Sequence, residues 1–252
     1  MATRLRPGWI APLLLLLVAA CAAPGAQPAA TGPASASPTP APPTLTPPGL
    51  QPDFAAPQGD APVLDGVLAP GEWDSARVET FSDGSELFLL FSAGSLYIGV
   101  RGSKPETTAG NVFLDRGNEI AILHSSAALG TAVYARAGGA WERTQDFDWR
   151  CRATDDGPAA VRERGAFFEA ERWLAANARR GTPNELEFRI EANVPVLRLA
   201  INLIRSSNIY VKVIWPAGLD DDTTRPTPGR MPARLAFDPA GWATIGLPDP
   251  DA

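Results

Sequence analysis

The sequence predicts an all-β fold, an antiparallel β-sandwich or jelly roll with one short helical excursion. Two observations predict it. Short segments in which apolar and polar residues alternate recur from residue 63 onward, and a period of two is typical of half-buried strands. Turn-forming residues separate these segments at short intervals, as they do in sandwiches and jelly rolls.

The predicted strands differ in how clear their pattern is. The clearest lies after residue 184, where Leu186, Phe188 and Ile190 alternate with charged residues. Two apolar segments flank residues 92–95, a short stretch with a glycine, so we predict a hairpin there. The predicted strands are residues 86–92, 96–101, 118–124, 131–136, 184–192, 197–204, 209–215, 234–237 and 242–247.

One segment departs from the strand pattern. Residues 167–180 read FFEAERWLAANARR, a composition that favours a helix. Gly181 follows directly, and glycine is common just beyond the end of a helix. We therefore predict the helical excursion at residues 167–180.

The amino terminus has the features of an exported lipoprotein. Arg4 and Arg6 precede an apolar run over residues 10–20, which is shorter than the roughly 20 residues of a membrane-spanning helix. The sequence LVAAC that ends at Cys21 resembles the lipobox of bacterial lipoproteins, although Val18 stands where leucine is usual. The resemblance implies a signal peptide over residues 1–20 and diacylglycerol, with its palmitate-type chains, on Cys21. The alternative is an ordinary secretory signal with a chance cysteine.

The segment after Cys21 is rich in proline and alanine, and it contains no charged residue as far as Pro52. Such a composition cannot bury a core, so we predict a disordered tether over residues 21–60. Extended, it would reach on the order of 80–100 Å from the membrane. The remaining residues, 61–252, suffice for a single binding domain.

The charge bears on nucleic-acid binding, and the cysteine content bears on disulfide formation. The chain has 22 basic and 28 acidic residues, and losing Arg4 and Arg6 with the signal leaves a net charge of −8. We therefore expect no nucleic-acid partner. Because lipid on Cys21 leaves Cys151 alone, we also expect no internal disulfide.

A family resemblance begins at residue 63. The sequence VLDGVL at residues 63–68 is followed by GEW at residues 71–73 and Ala76, and LYIGV follows at residues 96–100. This resembles the opening of family-nine-like carbohydrate-binding modules, which belong with the DOMON domains to a wider set of β-sandwiches. The resemblance spans about 40 residues, and it supports a sandwich fold more than it supports carbohydrate as the ligand. We expect Trp73 to seal one end of the sandwich.

The candidate ligand site lies mainly between residues 124 and 152, with Trp173 as a further aromatic face. Sugar recognition needs flat aromatic faces and polar groups that pair with hydroxyls. Each tryptophan has the alternative of being a core residue, and His124 that of being structural. The candidates are Trp141, Trp149, Trp173, Arg150, Arg152 and His124, with Glu142 and Asp146 as further polar groups.

His124 is the only histidine, which excludes a zinc site rich in histidine. No G-x-S-x-G motif accompanies it, so a serine hydrolase is not favoured and we predict that the protein is not an enzyme.

Two cofactors remain open. Asp220, Asp221 and Asp222 offer hard oxygen ligands for calcium, although consecutive aspartates are usually a solvated turn. Haem is not favoured, because Met231 lies in a segment rich in proline and arginine. The other axial candidates for haem are His124, Cys151, Lys104 and Lys212.

The function that we predict is a binding module that is anchored to the membrane through Cys21, on the extracytoplasmic side of the cell envelope. Its expected ligand is a polysaccharide or another molecule associated with the cell wall. The alternatives are a haem-binding electron-transfer domain and a structural lipoprotein that binds no small ligand.

Overall fold

The computed structural model describes residues 49–106, 108–151, 157–177, 184–205, 208–225 and 230–249, with only the backbone of residues 208–212. The predicted signal peptide, Cys21, most of the predicted tether and Arg152 lie outside these ranges. No helix in the described ranges is long and apolar enough to cross a membrane.

The described residues form fourteen strands and one α-helix. The helix, α1, is Pro158–Glu171. The strands are β1 Phe54–Ala55, β2 Arg77–Thr80, β3 Glu86–Ser92, β4 Ser95–Arg101, β5 Thr108–Asp115, β6 Glu119–Ser125, β7 Leu129–Ala137, β8 Ala140–Gln145, β9 Trp173–Asn177, β10 Glu185–Glu191, β11 Val196–Arg205, β12 Asn208–Trp215, β13 Arg234–Leu235 and β14 Ala243–Gly246.

These strands form two sheets, so the predicted all-β sandwich is confirmed. The larger sheet has the order β1-β14-β11-β5-β6-β7-β8-β13, with β12 also paired to β11. The smaller sheet has the order β2-β3-β4-β10-β9. Pairing between these strands is antiparallel except between β1 and β14.

The main core fills the space between the two sheets. Alternate residues of the strands that line it point into it, as the period of two predicts. Leu186, Phe188 and Ile190 of β10 all lie in this core, together with Leu199 of β11 and Leu123 of β6. The predicted inward face of β10 is thus confirmed.

The outer face of the larger sheet is covered as well. The carboxy-terminal segment after β12 lays Leu235, Phe237 and Trp242 over Phe113 and Tyr134, which project outward from the sheet. This second apolar cluster covers only part of that face, and a polar part lies beside it.

The outer face of the smaller sheet is covered by the segment with the DG and GEW motifs. Leu68 and Trp73 pack there on Phe88, Leu90 and Tyr97. Trp73 therefore covers a sheet face and does not seal an end of the sandwich, so that expectation was wrong. Trp73 lies in a turn, and its place is set by packing on β3 and β4, which its own neighbours in the chain do not reveal.

The predicted helix is only partly correct, since residues 167–171 are helical, whereas residues 178–181 lie outside the described ranges. Helix α1 begins at Pro158, a favoured first residue, and ends at Glu171, followed by the capping residue Arg172, whose φ of 62° is left-handed. Residues 173–177 form the edge strand β9 instead, because Trp173 and Ala175 face the main core. Helix-favouring composition is a weak signal beside that burial.

The folded part of the chain begins earlier than residue 61. Phe54 and Ala55 pair with β14, and the backbone N–H of Asp53 donates to Thr244 O over 2.7 Å. The N–H of Gly59 donates to Phe91 O over 3.1 Å. Residues 53–59, which the prediction places in the tether, therefore contact the folded domain, and Asp53 is the first charged residue after Cys21.

Candidate functional site

A row of polar residues crosses the outer face of the larger sheet. Asn202 of β11 pairs with Asn111 of β5, Asn111 with His124 of β6, and His124 with Gly130 of β7. Residues that pair directly share a face of the sheet, so these four lie side by side. We call them the His124 row. It borders the second apolar cluster, whose Phe113 and Ile122 form the adjacent row.

Hydrogen bonds join the His124 row into a chain. Asn202 Nδ2 donates to Thr223 O over 2.6 Å. Asn111 Nδ2 donates to Asn202 Oδ1 over 2.6 Å. Asn111 Oδ1 lies 2.7 Å from His124 Nδ1. All three side chains are buried, so their polar atoms need these partners.

Two aromatic rings cover the other end of the row. Phe147 and Trp149 stack on each other with centroids 4.6 Å apart, and we call them the aromatic pair. A Cβ on Gly130 would lie 3.0 Å from Phe147 and 3.1 Å from Trp149, so only glycine lets the pair approach this closely. The ring of Trp149 meets that of His124 edge-on at 5.1 Å.

Charged side chains alternate with the aromatic pair. Asp148 and Arg150 form an ion pair of 2.6 Å, with side chains 67% and 48% exposed. Trp149 itself is half-buried. The segment is held to the sheet by mutual backbone hydrogen bonds between Leu129 and Arg150. Here a partly accessible ring and exposed charged groups share one stretch of surface.

His124 is a neutral base in this setting. Burial lowers its pKa from 6.5 to about 4, because the charged imidazolium would lose hydration. No described residue hydrogen-bonds its Nε2. The buried, unpartnered side-chain atoms of the described residues are Trp73 Nε1, Arg116 Nε, Glu187 Oε1, Arg198 Nε and Arg205 Nε. Nε2 is neither bonded nor among these atoms, so part of its surface is accessible, while His124 as a whole is 6% exposed.

The structure brings together three of the predicted site residues, His124, Trp149 and Arg150. Two others belong to the core. Trp173 is 1% exposed in the main core, and Trp141 is 4% exposed in the second cluster. The Nε1 of Trp173 donates to Thr131 Oγ1 and that of Trp141 to Phe237 O. Both are therefore corrected to structural residues.

The calcium assignment is also withdrawn. Asp221 accepts from Asp238 N at 2.8 Å and from Trp242 Nε1 at 3.1 Å, and Asp222 accepts from Ala236 N at 2.6 Å. These carboxylates tie the carboxy-terminal segment together. Among the described residues, no group of three or more acidic, histidine or cysteine side chains could hold a metal ion.

The remaining reactive side chains lie away from the row. Cys151 belongs to the main core, where burial raises the pKa of its thiol to about 11. Met231 belongs to the second apolar cluster. The side chain of Lys212 is outside the described residues.

Sequence reasoning missed Asn111, Asn202 and Phe147. The signal was present for the asparagines, because each interrupts an apolar strand at an outward position, in NVFLD and AINLIR. Polar residues inside such strands are expensive unless partnered. Their partnership, however, depends on the pairing of β5 with β11, which lies 91 residues further along the chain.

Comparisons with known proteins give one similarity. No family model matches the chain, and no curated protein matches it. A solved structure that matches is a family 9 carbohydrate-binding module from Caldicellulosiruptor kristjanssonii in complex with cellotriose. The match has 16% identity and a TM-score of 0.35, and it covers 77% of this chain and 92% of that module.

Proposed function

We propose that the domain is a carbohydrate-binding module, held at the extracytoplasmic side of a membrane by lipid on Cys21. The observation that supports binding is the meeting of Trp149, the reachable Nε2 of His124 and the exposed Asp148–Arg150 pair on one surface. The family resemblance of residues 63–101 points to the same ligand class.

Each of these groups suits one part of a sugar. A pyranose presents a face of C–H groups, which an indole ring such as that of Trp149 covers well. Its rim of hydroxyls both donates and accepts hydrogen bonds. His124 Nε2 accepts them, Arg150 donates them and Asp148 accepts them.

The same geometry favours binding over catalysis. His124 is paired with the amide of Asn111, and no carboxylate is paired with it among the described residues. The raised pKa of the Cys151 thiol and its place in the main core make it a poor nucleophile. The module therefore recognises its ligand and leaves it intact.

Affinity electrophoresis in polysaccharide gels, followed by calorimetry with the best soluble oligosaccharide, tests the proposal on the full chain. Cellotriose is the first oligosaccharide to try. Trp149→Ala is expected to weaken binding about tenfold or more, a loss of about 1.4 kcal/mol or more. Arg150→Gln is expected to weaken it less, because its side chain is at the rim.

Arg234→Gln is the matched control for Arg150. Arg234 also forms an exposed ion pair, at 2.5 Å with Glu142, but it lies away from the aromatic pair. It should leave the affinity unchanged. Full affinity in both Trp149→Ala and Arg150→Gln would place the ligand elsewhere, and no retardation by any polysaccharide would favour the structural lipoprotein.

A further inference from the structure

The hydrogen bonds along the His124 row run in a fixed direction from donor to acceptor, and a backbone carbonyl group sets that direction. Thr223 O can only accept, so the atom of Asn202 that faces it is Nδ2, at 2.6 Å. The same Nδ2 lies 3.4 Å from Arg225 O, a second carbonyl that can only accept. Turning the Asn202 amide over would bring Oδ1 against both carbonyls, which is repulsive.

The direction passes along the row to the histidine. With Nδ2 of Asn202 committed to the carbonyls, its Oδ1 faces Asn111 and must receive a hydrogen from Asn111 Nδ2. This leaves Oδ1 of Asn111 toward His124, 2.7 Å from Nδ1. An amide oxygen only accepts, so Nδ1 must carry the proton.

A neutral imidazole carries one N–H, so the other nitrogen is then a bare acceptor. The lowered pKa of His124 keeps it neutral near pH 7. Nε2 therefore presents a lone pair beside the aromatic pair, and part of its surface is accessible. A carboxylate or phosphate oxygen placed opposite would be repelled, whereas a hydroxyl or N–H group would be bound.

We infer that the chain from Thr223 through Asn202 and Asn111 holds His124 as the Nδ1–H tautomer, so that the ligand must bring a hydrogen-bond donor to Nε2. The ligand contact rests on the proposed function, and the tautomer does not. Asn111 and Asn202 are positioning residues, since they act on the ligand through His124. His124 Nε2 therefore favours a ligand that places a hydrogen-bond donor, such as a neutral sugar hydroxyl, opposite it.

Nitrogen NMR of the full chain tests the tautomer directly. Because the sequence has one histidine, labelling with [¹⁵N]histidine and using a tag without histidine gives signals from one imidazole. At pH 7 we expect a protonated, pyrrole-like Nδ1 and an unprotonated, pyridine-like Nε2. The reverse pattern, an imidazolium or a mixture of tautomers overturns the inference.

Asn202→Leu tests whether the anchored chain is the cause. It removes the oxygen that accepts from Asn111 Nδ2 in the row, so we expect the single-tautomer pattern to become a mixture. Asn184→Ala is the matched control, because Asn184 Nδ2 also donates to a backbone carbonyl, Gly102 O, at 2.7 Å but away from the row. An unchanged pattern in Asn202→Leu overturns the role of the chain.

A second variant keeps the test open if Asn202→Leu does not fold. In Asn111→Asp the carboxylate would accept from Nδ1–H and raise the pKa of His124. The imidazolium pattern is then expected at a higher pH than in the unaltered protein. A pKa of His124 that stays where it was contradicts the contact with residue 111.

Titration with cellotriose, or with the best oligosaccharide of the gel survey, separates this inference from the proposed function. A shift of the Nε2 signal in the direction of an accepted hydrogen bond, with Nδ1 unchanged, supports both. The expected tautomer with no response to any glycan overturns the proposed function and the ligand contact alone. Binding with Nε2 as the donor overturns the tautomer alone.

Discussion

At the scale of single residues, Glu187 is a buried acid with an uncommon environment. It is 0% exposed on the outward face of β10, and its Oε2 accepts from the backbone N–H groups of Asp65 and Gly66 at 3.1 and 2.7 Å. Burial raises its pKa from 4.5 to about 8, and the nearby Asp65 and Glu72 add to the rise. The DG motif is thus held by a carboxyl group that is mostly protonated at pH 7.

This makes stability depend on pH in a defined window. The folded state binds the Glu187 proton more tightly than the unfolded state does. The contribution of Glu187 to the free energy of unfolding is therefore fully present below pH 4.5 and is lost as the pH rises to about 8. His124 acts in the opposite sense, because its lowered pKa loses stability as the pH falls from 6.5 to about 4. Above about pH 6.5 only the Glu187 effect remains of the two.

We therefore expect the urea midpoint of unfolding to fall between about pH 6.5 and 8.5, and Glu187→Gln to flatten this fall. Glu185→Gln is the neighbouring control, since Glu185 holds the same segment through Leu68 N–H at 3.0 Å. It should lower stability at every pH tested. Equal slopes for the unaltered protein and Glu187→Gln would contradict the burial effect.

The tryptophans divide into structural and accessible residues. Trp173→Ala is expected to lower the free energy of unfolding by about 3–5 kcal/mol, because it empties part of the main core and leaves Thr131 without its donor. Trp149→Ala, which is half-buried, should cost under about 2 kcal/mol. Chemical denaturation measures both, and equal costs would contradict this division.

At the scale of elements, Arg205 joins the two sheets. It stands at the end of β11, is 4% exposed, and its Nη2 donates to Ser85 Oγ at 2.8 Å and Ser103 Oγ at 2.9 Å beside the smaller sheet. It also pairs with Asp83 and Glu106. A buried cation with several partners fixes how the ends of the sheets lie together.

Arg205→Met keeps the length of the side chain and removes its charge. It leaves Asp83 and Glu106 without their cation, so we expect a loss of about 3–5 kcal/mol in the free energy of unfolding. Arg77→Gln removes an exposed pair with Glu79 and should cost under about 1 kcal/mol. A cost for Arg205→Met as small as that of Arg77→Gln would show that the contacts of Arg205 contribute little to the free energy of unfolding.

The elements also show where local pattern fails. The alternation in β10 predicts its inward face correctly, since burial of one face leaves a period of two. The segment FFEAERWLAANARR is predicted as a helix, but of its described residues 167–171 belong to α1 and 173–177 to β9. The end of the helix depends on Trp173 turning into the core, a long-range packing effect.

At the scale of the whole molecule, the proposed anchor can be tested independently of the ligand. Cys21→Ser removes the thiol that would carry the lipid. Without that thiol, we expect metabolic labelling with palmitate to be lost. We also expect the protein to leave the membrane fraction, because stable anchoring takes two or more acyl chains and the variant would carry none on residue 21. Membrane retention of Cys21→Ser would contradict lipid anchoring.

The candidate site could be predicted from the sequence only in part. His124, Trp149 and Arg150 were found by residue type, since aromatic and polar groups close in the chain suggest a ligand surface. Trp141 and Trp173 are the same residue type as Trp149 but are buried, because each lies on a strand face that another element covers. Residue type does not show which face is covered.

The sequence by itself determined the properties that depend on local pattern: the β class, the inward face of β10, the negative charge and the expectation of export with lipid on Cys21. The tertiary structure decided which distant strands pair and what covers each sheet. Only it placed Asn202 beside Asn111 and the aromatic pair over Gly130. The reason is physical: alternation depends on neighbours in the chain, whereas register and coverage depend on contacts between residues tens of positions apart.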